Sequence, residues 1–277
     1  MDGIGDFLAA SDSFDPTPAM PVVFIGHGNP MNAIEETEFS AGWRSLGGSL
    51  PRPSAILCIS AHWETDGTYV TSAERPETIH DFYGFPQELY DVRYPAPGSP
   101  ALARLTLAAA PEPLIGLDRA WGLDHGCWSV LRRIYPGADI PVVQMSLNRR
   151  RDARWHYEFA TRFSFLRERG VLILGSGNMV HNLRMIRWDN PDSAYDWAEE
   201  INGRIKTLIL EGDAGELAEY RSFGPAAGLA IPTAEHYLPM LYALALRKES
   251  ESVNFFNDKT ILGSISMTSF IIQPTHG

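Results

Sequence analysis

Three histidines come directly after apolar runs that are typical of buried strands. His27 follows residues 21–25, His62 follows residues 54–60 and His181 comes shortly after residues 171–176. In open α/β sheets, ligands bind in the crevice beyond the carboxyl ends of the strands. Imidazole is a common ligand of metal ions and a common acid or base near neutral pH. The three positions therefore predict a metal or catalytic site at one edge of a sheet.

Two further histidines are candidates for the same site. His236 lies in PTAEHYLP, in a predicted first helical turn, whose positive end disfavours imidazolium and favours the neutral form that binds metals. His125 lies in WGLDHGCW, which predicts a tight turn. A single histidine at a strand end is more often a structural hydrogen-bonding residue, so the prediction depends on the whole constellation. Imidazole ligands suit Zn, Fe, Cu or Ni rather than Ca or Mg.

These side chains need a sheet to position them, and the sequence predicts one. Apolar, β-branched segments predict strands over 21–25, 54–60, 68–72, 140–146, 171–176 and 264–272. Helical patterns cover 100–110, 152–169, 193–210 and 236–248. Strands that alternate with helices favour an α/β fold with a central, mostly parallel or mixed sheet flanked by helices. We therefore expect the site at the carboxyl ends of the strands of a single domain.

The composition limits the classes of function. The 277 residues are 44% hydrophobic, which is enough for one large core, and the formal net charge is −11. Such a charge argues against a nucleic-acid partner. No stretch of about eighteen apolar residues predicts a membrane span. Residues 1–19 lack the features of a signal peptide, so we expect a cytoplasmic protein with a mobile or loosely docked extension over 1–19 and a catalytic domain over 20–277. Cys58 and Cys127 are expected to be buried and reduced.

One long segment is a candidate for contact with substrate. The stretch 82–100 is rich in proline and glycine and is long for a plain connector. It is either a substrate-facing loop or a structural Ω-loop. His80, just before it, could line a pocket or cap a turn, and Phe82 and Tyr83 could stack on an aromatic ring. The segment GSGNMV lacks the third glycine of a dinucleotide fingerprint, and the sequence contains neither a Walker motif nor a G-x-S-x-G elbow.

Six motifs in order resemble one known family. They are GHGNPMN, SAHWET, TIHDFYGFPQELYDVRYPAPGSPALA, WGLDHGCWSVL, GSGNMVHNLR and TAEHYLPMLYALA. Together they resemble the class III extradiol ring-cleavage dioxygenases, in the DOPA 4,5-dioxygenase branch. The resemblance runs from about residue 20 to the C-terminus and so covers nearly the whole chain.

The resemblance implies a site and a reaction. It implies one non-haem divalent metal, Zn²⁺ or Fe²⁺, held by His27, His62 and His236. It implies that His181 is the acid or base and that His125 contacts substrate or oxygen. The substrates would be a small aromatic diol and dioxygen, with His80, Phe82 and Tyr83 near the diol. A homo-oligomer is compatible with all of this.

The third ligand departs from the pattern of the better-known members of the family. Members built from two separate subunits use two histidines and a glutamate, whereas this chain has His236 with Glu235 beside it. Three imidazoles suit Zn²⁺, and a triad with one carboxylate is typical of Fe²⁺. Two alternatives therefore stay open at this point. One is a zinc-dependent hydrolase, and the other is a binding module with a relic metal site, although the presence of all five histidines argues against a relic.

Overall fold

A mixed sheet of eight strands forms the centre of the molecule. The computed structural model describes residues 14–110 and 114–274. The ten strands in these residues are β1 Val22–Gly26, β2 Ala55–Thr65, β3 Tyr69–Thr71, β4 Gly116–Asp118, β5 Val142–Asn148, β6 Val171–Gly177, β7 Glu251–Phe256, β8 Thr260–Ile261, β9 Ile265–Ser266 and β10 Ser269–Pro274. The order in the large sheet is β4-β3-β5-β2-β6-β1-β10-β7, and β8 pairs with β9 in a separate antiparallel ribbon.

The four central strands run parallel to one another. β6 pairs in parallel with both β1 and β2, and β2 pairs in parallel with β5. These strands are buried along most of their length, which agrees with their continuous apolar runs. Antiparallel pairs flank this group, β10 against β1 on one side and β3 against β5 on the other. The carboxyl ends of the central strands therefore meet at one edge of the sheet.

Helices cover both faces of the sheet. The α-helices in the described residues are α1 Glu38–Ser49, α2 Gln87–Tyr90, α3 Pro100–Ala109, α4 His125–Ile134, α5 Ala153–Ala160, α6 Asp196–Glu211, α7 Ala214–Ala218, α8 Pro225–Ala230 and α9 Leu238–Leu244. Alternate residues of β1 enter different cores: Val22 and Phe24 pack with residues of α3, α5, α6 and α9. Val23 and Ile25 pack with residues of α1 and α4. The predicted layered α/β architecture is confirmed.

Several predicted boundaries were wrong near the site. β2 continues to Thr65, so His62 lies within the strand rather than after it. The predicted strand 264–272 is two strands, β9 and β10. His125 is not in an isolated tight turn but is the first residue of α4, with Asp124 as its N-cap. The last helix begins at Leu238, so His236 lies in the turn before it and the argument from the helix dipole does not hold there.

The predicted helix over 152–169 was only partly correct. The α-helical part ends at Ala160, and residues Thr161–Arg169 form a 3-10 helix that ends at Gly170 in the left-handed conformation. α6 begins at Asp196, three residues after the start of the helical pattern predicted over 193–210. α3 has the predicted start, because the Ser99 hydroxyl accepts a hydrogen bond from the Leu102 N–H at 3.1 Å.

The part of the N-terminal extension that the structure describes lies against the domain. Phe14 is buried, and the N–H of Thr17 donates to the carbonyl of Glu168 at 2.8 Å. Residues 1–13 lie outside the described residues. Within the described ranges, none of the helices has both the length and the apolar composition that crossing a bilayer requires.

Candidate metal centre and active site

His27 is held at the end of β1 by close backbone packing. A Cβ atom on Gly26 would lie 2.7 Å from the carbonyl carbon of Met267. A Cβ on Gly28 would lie 2.3 Å from the Met267 sulfur, and Gly28 has a left-handed φ of +57°. Both glycines are therefore needed for this turn. This requirement explains why His27 is flanked by two glycines in the sequence.

The hydrogen bonds of His27 determine its tautomer. The Ser176 hydroxyl donates its one proton to the carbonyl of Gly126 at 2.6 Å. It can therefore only accept from the Nδ1–H of His27, at 3.0 Å. The Nε2 atom of His27 keeps its lone pair, and it lies 3.1 Å from Nε2 of His62.

A carboxylate lies beside Nδ1 of each of the other two predicted ligands. Asp81 Oδ2 is 3.4 Å from Nδ1 of His62, and Glu235 Oε1 is 3.2 Å from Nδ1 of His236. Metal-binding histidines typically direct the other ring nitrogen to a carboxylate or a carbonyl group. Because each Nδ1–H faces an oxygen, Nε2 is the nitrogen left to bind an ion in all three rings.

The three rings fit one metal ion. His27, His62 and His236 each offer a ring nitrogen, and the three nitrogens lie within 4.8 Å of one another. Two nitrogens bound at about 2.0–2.1 Å to one zinc ion would be roughly 3.0–3.4 Å apart, which brackets the His27–His62 separation. Burial first, and then the neighbouring histidines, lowers the pKa of all three rings well below 6.5. They are therefore neutral at pH 7, the form that binds metals.

His181 lies beside this cluster with its nitrogens unused. Its ring stacks on that of His236, with centroids 3.5 Å apart and planes 8° from parallel. Among the described residues, no side chain or backbone group makes a hydrogen bond to either ring nitrogen of His181. Burial, and then His125, lowers the pKa of His181 to about 4. The neutral ring can accept a proton close to the three converging nitrogens.

His125 lies beside His62, with ring centroids 3.8 Å apart. Asp81 holds it: Oδ1 accepts the backbone N–H of His125 at 2.8 Å, and Oδ2 accepts Nδ1–H at 2.9 Å. Burial would raise the pKa of Asp81, but the hydrogen bonds and charges of His125 and His62 lower it below its usual value. Asp81 is therefore an anion that bridges two of the five histidines.

The helix that begins at His125 is anchored by a second carboxylate. Asp124 is fully buried and accepts hydrogen bonds from Ser60 at 2.7 Å and from Gln144 at 2.7 Å. It also caps α4 by accepting the N–H of Cys127 at 3.1 Å. Burial, and then Asp81, raises the pKa of Asp124 to about 6. These bonds attach the start of α4 to β2 and β5.

The three predicted substrate contacts have different surroundings. Phe82 lies edge-on to His125, with ring centroids 5.5 Å apart. His80 uses its Nε2–H to donate to the carbonyl of Val92 at 3.1 Å, which fits the turn-capping alternative. Tyr83 is 92% exposed. Of the three, Phe82 is the side chain next to the histidine cluster.

Sequence reasoning missed three side chains that hold the histidines. Asp81 stood out only as an acidic residue in the aromatic stretch HDFYGF. Ser176 is the next-to-last residue of β6, and its role depends on the neighbouring β1, which no local pattern reveals. Asp124 precedes a helix that was not predicted, although an aspartate before His-Gly-Cys-Trp is a typical N-cap.

Comparisons with known proteins identify the family of this chain. Residues 26–268 match the model of the catalytic LigB subunit of aromatic ring-opening dioxygenase. The chain belongs to this LigB family. It is 46% identical to the 4,5-DOPA dioxygenase extradiol of Escherichia coli over 253 residues, 90% of this chain and 93% of that one. It is 36% identical to the enzyme of the same name from Beta vulgaris, over 91% of this chain and 96% of that one.

A solved structure has the same LigB-family architecture. The crystal structure of an uncharacterized protein from Escherichia coli K12 superposes with a TM-score of 0.81 at 40% identity, and covers 92% of this chain and 100% of that one. The predicted resemblance and fold are thereby confirmed. This LigB-family chain is an extradiol, aromatic ring-opening dioxygenase, and the hydrolase and relic-site alternatives are not favoured.

Proposed function

We propose that His27, His62 and His236 hold one divalent metal ion and that the enzyme opens the ring of a DOPA-like catechol beside it. The observation that carries this proposal is the convergence of three neutral imidazoles within 4.8 Å, each with its Nδ1 turned toward an oxygen. The substrate class is inferred from the relatives, since several of them are named for DOPA.

A divalent ion held by these three histidines would supply Lewis acidity to a bound diol and, if it were Fe²⁺, a redox partner for dioxygen. Zn²⁺ fits three imidazoles but has no redox states to offer. We therefore propose Fe²⁺ as the ion that supports ring opening and Zn²⁺ as an ion that can fill the same ligands. The carboxylate of Glu235 beside His236 keeps that ring in the tautomer that binds either ion.

His181 and His125 act on the substrate rather than hold the metal ion. A ring nitrogen of His181 accepts a proton from a hydroxyl of the diol and later returns it. The lone pair on Nε2 of His125 is available beside His62, because Asp81 occupies Nδ1. The ring of Phe82 packs nearly at right angles to that of His125 and would limit the access of water to it.

Anaerobic reconstitution tests this proposal. The purified chain would be loaded with Fe²⁺ or Zn²⁺ without oxygen, and DOPA and simpler catechols would then be added with a measured amount of oxygen. We expect the Fe²⁺ form to consume one oxygen per catechol and to give a yellow ring-opened product. The Zn²⁺ form should bind catechol without consuming oxygen.

A His236→Ala variant tests the proposed ligand set, because it removes one ligand and leaves His181 and His125 in place. It should lose metal and oxygen uptake together. Uptake that continues at the native rate in this variant would contradict the proposed ligand set. If the wild-type enzyme opens none of the catechols with Fe²⁺ bound, the proposed substrate class fails.

A further inference from the structure

One carboxylate contacts both a proposed metal ligand, His62, and the neighbouring His125. Asp81 accepts the backbone N–H of His125 at 2.8 Å and its Nδ1–H at 2.9 Å, and it lies 3.4 Å from Nδ1 of His62. The side chain of Asp81 is 18% exposed, so water competes only weakly for these bonds. Such a bidentate arrangement fixes the position and the rotation of the His125 ring together.

The backbone that carries Asp81 is itself fixed to α4. The N–H of Ile79 donates to the carbonyl of Leu123 at 2.7 Å, and that of Leu123 donates to Glu77 at 2.7 Å. The indole N–H of Trp128, one turn into α4, donates to the carbonyl of Ile79 at 2.8 Å. The segment before Asp81 therefore cannot move away from His125 without the loss of three hydrogen bonds.

The tautomer of His125 follows from these contacts. An ionised carboxylate can only accept, so the His125 nitrogen that faces it must carry the proton. This leaves the lone pair on Nε2. Replacement of Asp81 by asparagine would present an amide N–H or an amide oxygen to the ring, and only the oxygen would preserve the tautomer. The backbone bond to the His125 N–H needs that oxygen as well.

We propose that Asp81 is a positioning residue: it holds His125 as the Nδ1–H tautomer and thereby makes Nε2 the nitrogen that acts on substrate or oxygen. The effect on turnover rests on the function proposed above, whereas the effect on the tautomer does not. Asp81 is also the first residue after His80 and precedes the loop that carries Phe82, so it links that loop to the cluster.

A second metal site is the competing explanation, because His62, Asp81 and His125 could also hold an ion. The distances favour the hydrogen-bonded arrangement. The Asp81–His125 pair lies at the length of a charge-assisted N–H···O bond. His62 is already required by the site that His27 and His236 form, and one Nδ1–H cannot donate and bind an ion at once.

Asp81→Asn tests the proposal directly. In the full chain loaded with Zn²⁺, ¹⁵N NMR of the histidine rings should show His125 as the Nδ1–H tautomer in the wild type and as Nε2–H in the variant. With Fe²⁺, kcat should fall about 100-fold, the usual scale for loss of such a partner, while KM changes less than about threefold. Metal content should stay at one ion per chain.

Two further variants make the result specific. Asp81→Glu keeps the acceptor and should restore the Nδ1–H tautomer and part of the turnover. Asp91→Asn is the matched control in the same loop, since its carboxylate accepts only from Gln87 in the described region, and it should match the wild type. A merely structural role would lower the midpoint of unfolding without changing the tautomer.

Three outcomes would overturn the proposal. One is an unchanged His125 tautomer in Asp81→Asn. The second is two ions per chain in the wild type with one lost in the variant, which would establish the second metal site. The third is a rise in KM with native kcat. A wild-type enzyme that opens no catechol would instead refute the proposed function, and the tautomer measurement would still decide the role of Asp81.

Discussion

Two histidines of this molecule, His156 and His181, both have a lowered pKa but lie in different surroundings. Burial lowers the pKa of both His156 and His181 to about 4. His156 lies on the side of α5 that faces α9, where its Nδ1 accepts from the Tyr242 hydroxyl at 2.9 Å and its Nε2–H donates to the Asn148 carbonyl at 3.2 Å. His181 lies on His236 at the carboxyl edge of the sheet, and no described residue bonds to its ring nitrogens.

A lowered pKa therefore does not distinguish a functional histidine from a structural one. Burial disfavours imidazolium wherever it occurs. What separates the two rings is where their nitrogens are directed: those of His156 are both used within the core, and those of His181 are left over beside converging imidazoles. Among the described residues, ring nitrogens without hydrogen-bond partners lie together at the candidate site. A histidine whose ring nitrogens both have partners, such as His156, belongs to the structural core.

The most severe test of this distinction removes a converging ring. His27→Ala should abolish metal binding and lower turnover by at least about 1000-fold, because the Lewis acid that a metal supplies stabilises charge by several kcal/mol. Metal analysis of the purified variant and oxygen uptake with a catechol measure the two effects. A variant that retains one tightly bound ion and native turnover would show that His27 belongs with His156 as a structural residue.

His181→Ala should separate chemistry from metal binding. The variant should retain its metal and its unfolding midpoint but lose about 100-fold to 10,000-fold in kcat, the range typical of a lost acid or base. Stopped-flow measurement with the Fe²⁺ form gives kcat, and metal analysis gives the occupancy. Loss of the ion together with activity would mean that His181 is a ligand.

The matched change in the scaffold is His156→Ala. It removes a packed ring and leaves the Tyr242 hydroxyl and the Asn148 carbonyl without their partner. The free energy of unfolding should therefore fall by about 2–4 kcal/mol. The folded variant should still bind metal and turn over within about twofold of the wild type. Urea denaturation measures the first effect. A large loss of kcat in the fully folded variant would show that His156, like His181, is needed for turnover.

A smaller effect concerns another fully satisfied buried group, the Arg167–Glu251 ion pair. Burial would raise the pKa of Glu251, but hydrogen bonds from Arg167, at 3.0 Å for one pair, and from the Lys248 N–H lower it below 4.5. Because the folded pKa lies below the unfolded one, the pair contributes fully above about pH 4.5 and the contribution is lost as pH falls through the folded pKa.

Glu251→Gln removes this titrating group, and urea denaturation between pH 3 and pH 7 isolates its contribution. The variant should be less stable than the wild type at pH 7, and the difference should shrink as the pH falls below about 4.5. A difference that stays constant over the whole range would show that protonation of Glu251 is not linked to unfolding.

The parts of the site that lie on strongly apolar strands could be predicted from the sequence. β1 and β6 are short, buried and bounded by glycine, so their ends and the histidines after them were predicted closely. The end of β2 was wrong because the strand continues through a register irregularity between Ile59 and Glu64 as polar residues enter it. Local periodicity does not reveal such a continuation.

The hydrogen bonds that position the histidines could not be predicted, since they join distant segments. Ser176 and His27 are 149 residues apart, and Asp81 and His125 are 44 apart. The pairing of β1 with β6 brings the first two together, and the hydrogen bonds between the segment before Asp81 and Leu123 bring the second two together. α4 was missed for a different reason: its first residues, His-Gly-Cys, have poor helix propensity, and the Asp124 cap and the surrounding packing outweigh it.

The central claim is that imidazoles 27, 62 and 236 bind one ion and that His181 does not. A crystal of the metal-loaded chain, with anomalous diffraction measured on both sides of the metal absorption edge, tests this directly. We expect one strong peak about 2.0–2.2 Å from a nitrogen of each of the three rings, with His181 outside bonding distance. A peak ligated by Asp81 and His125, or by His181 in place of His236, would contradict it.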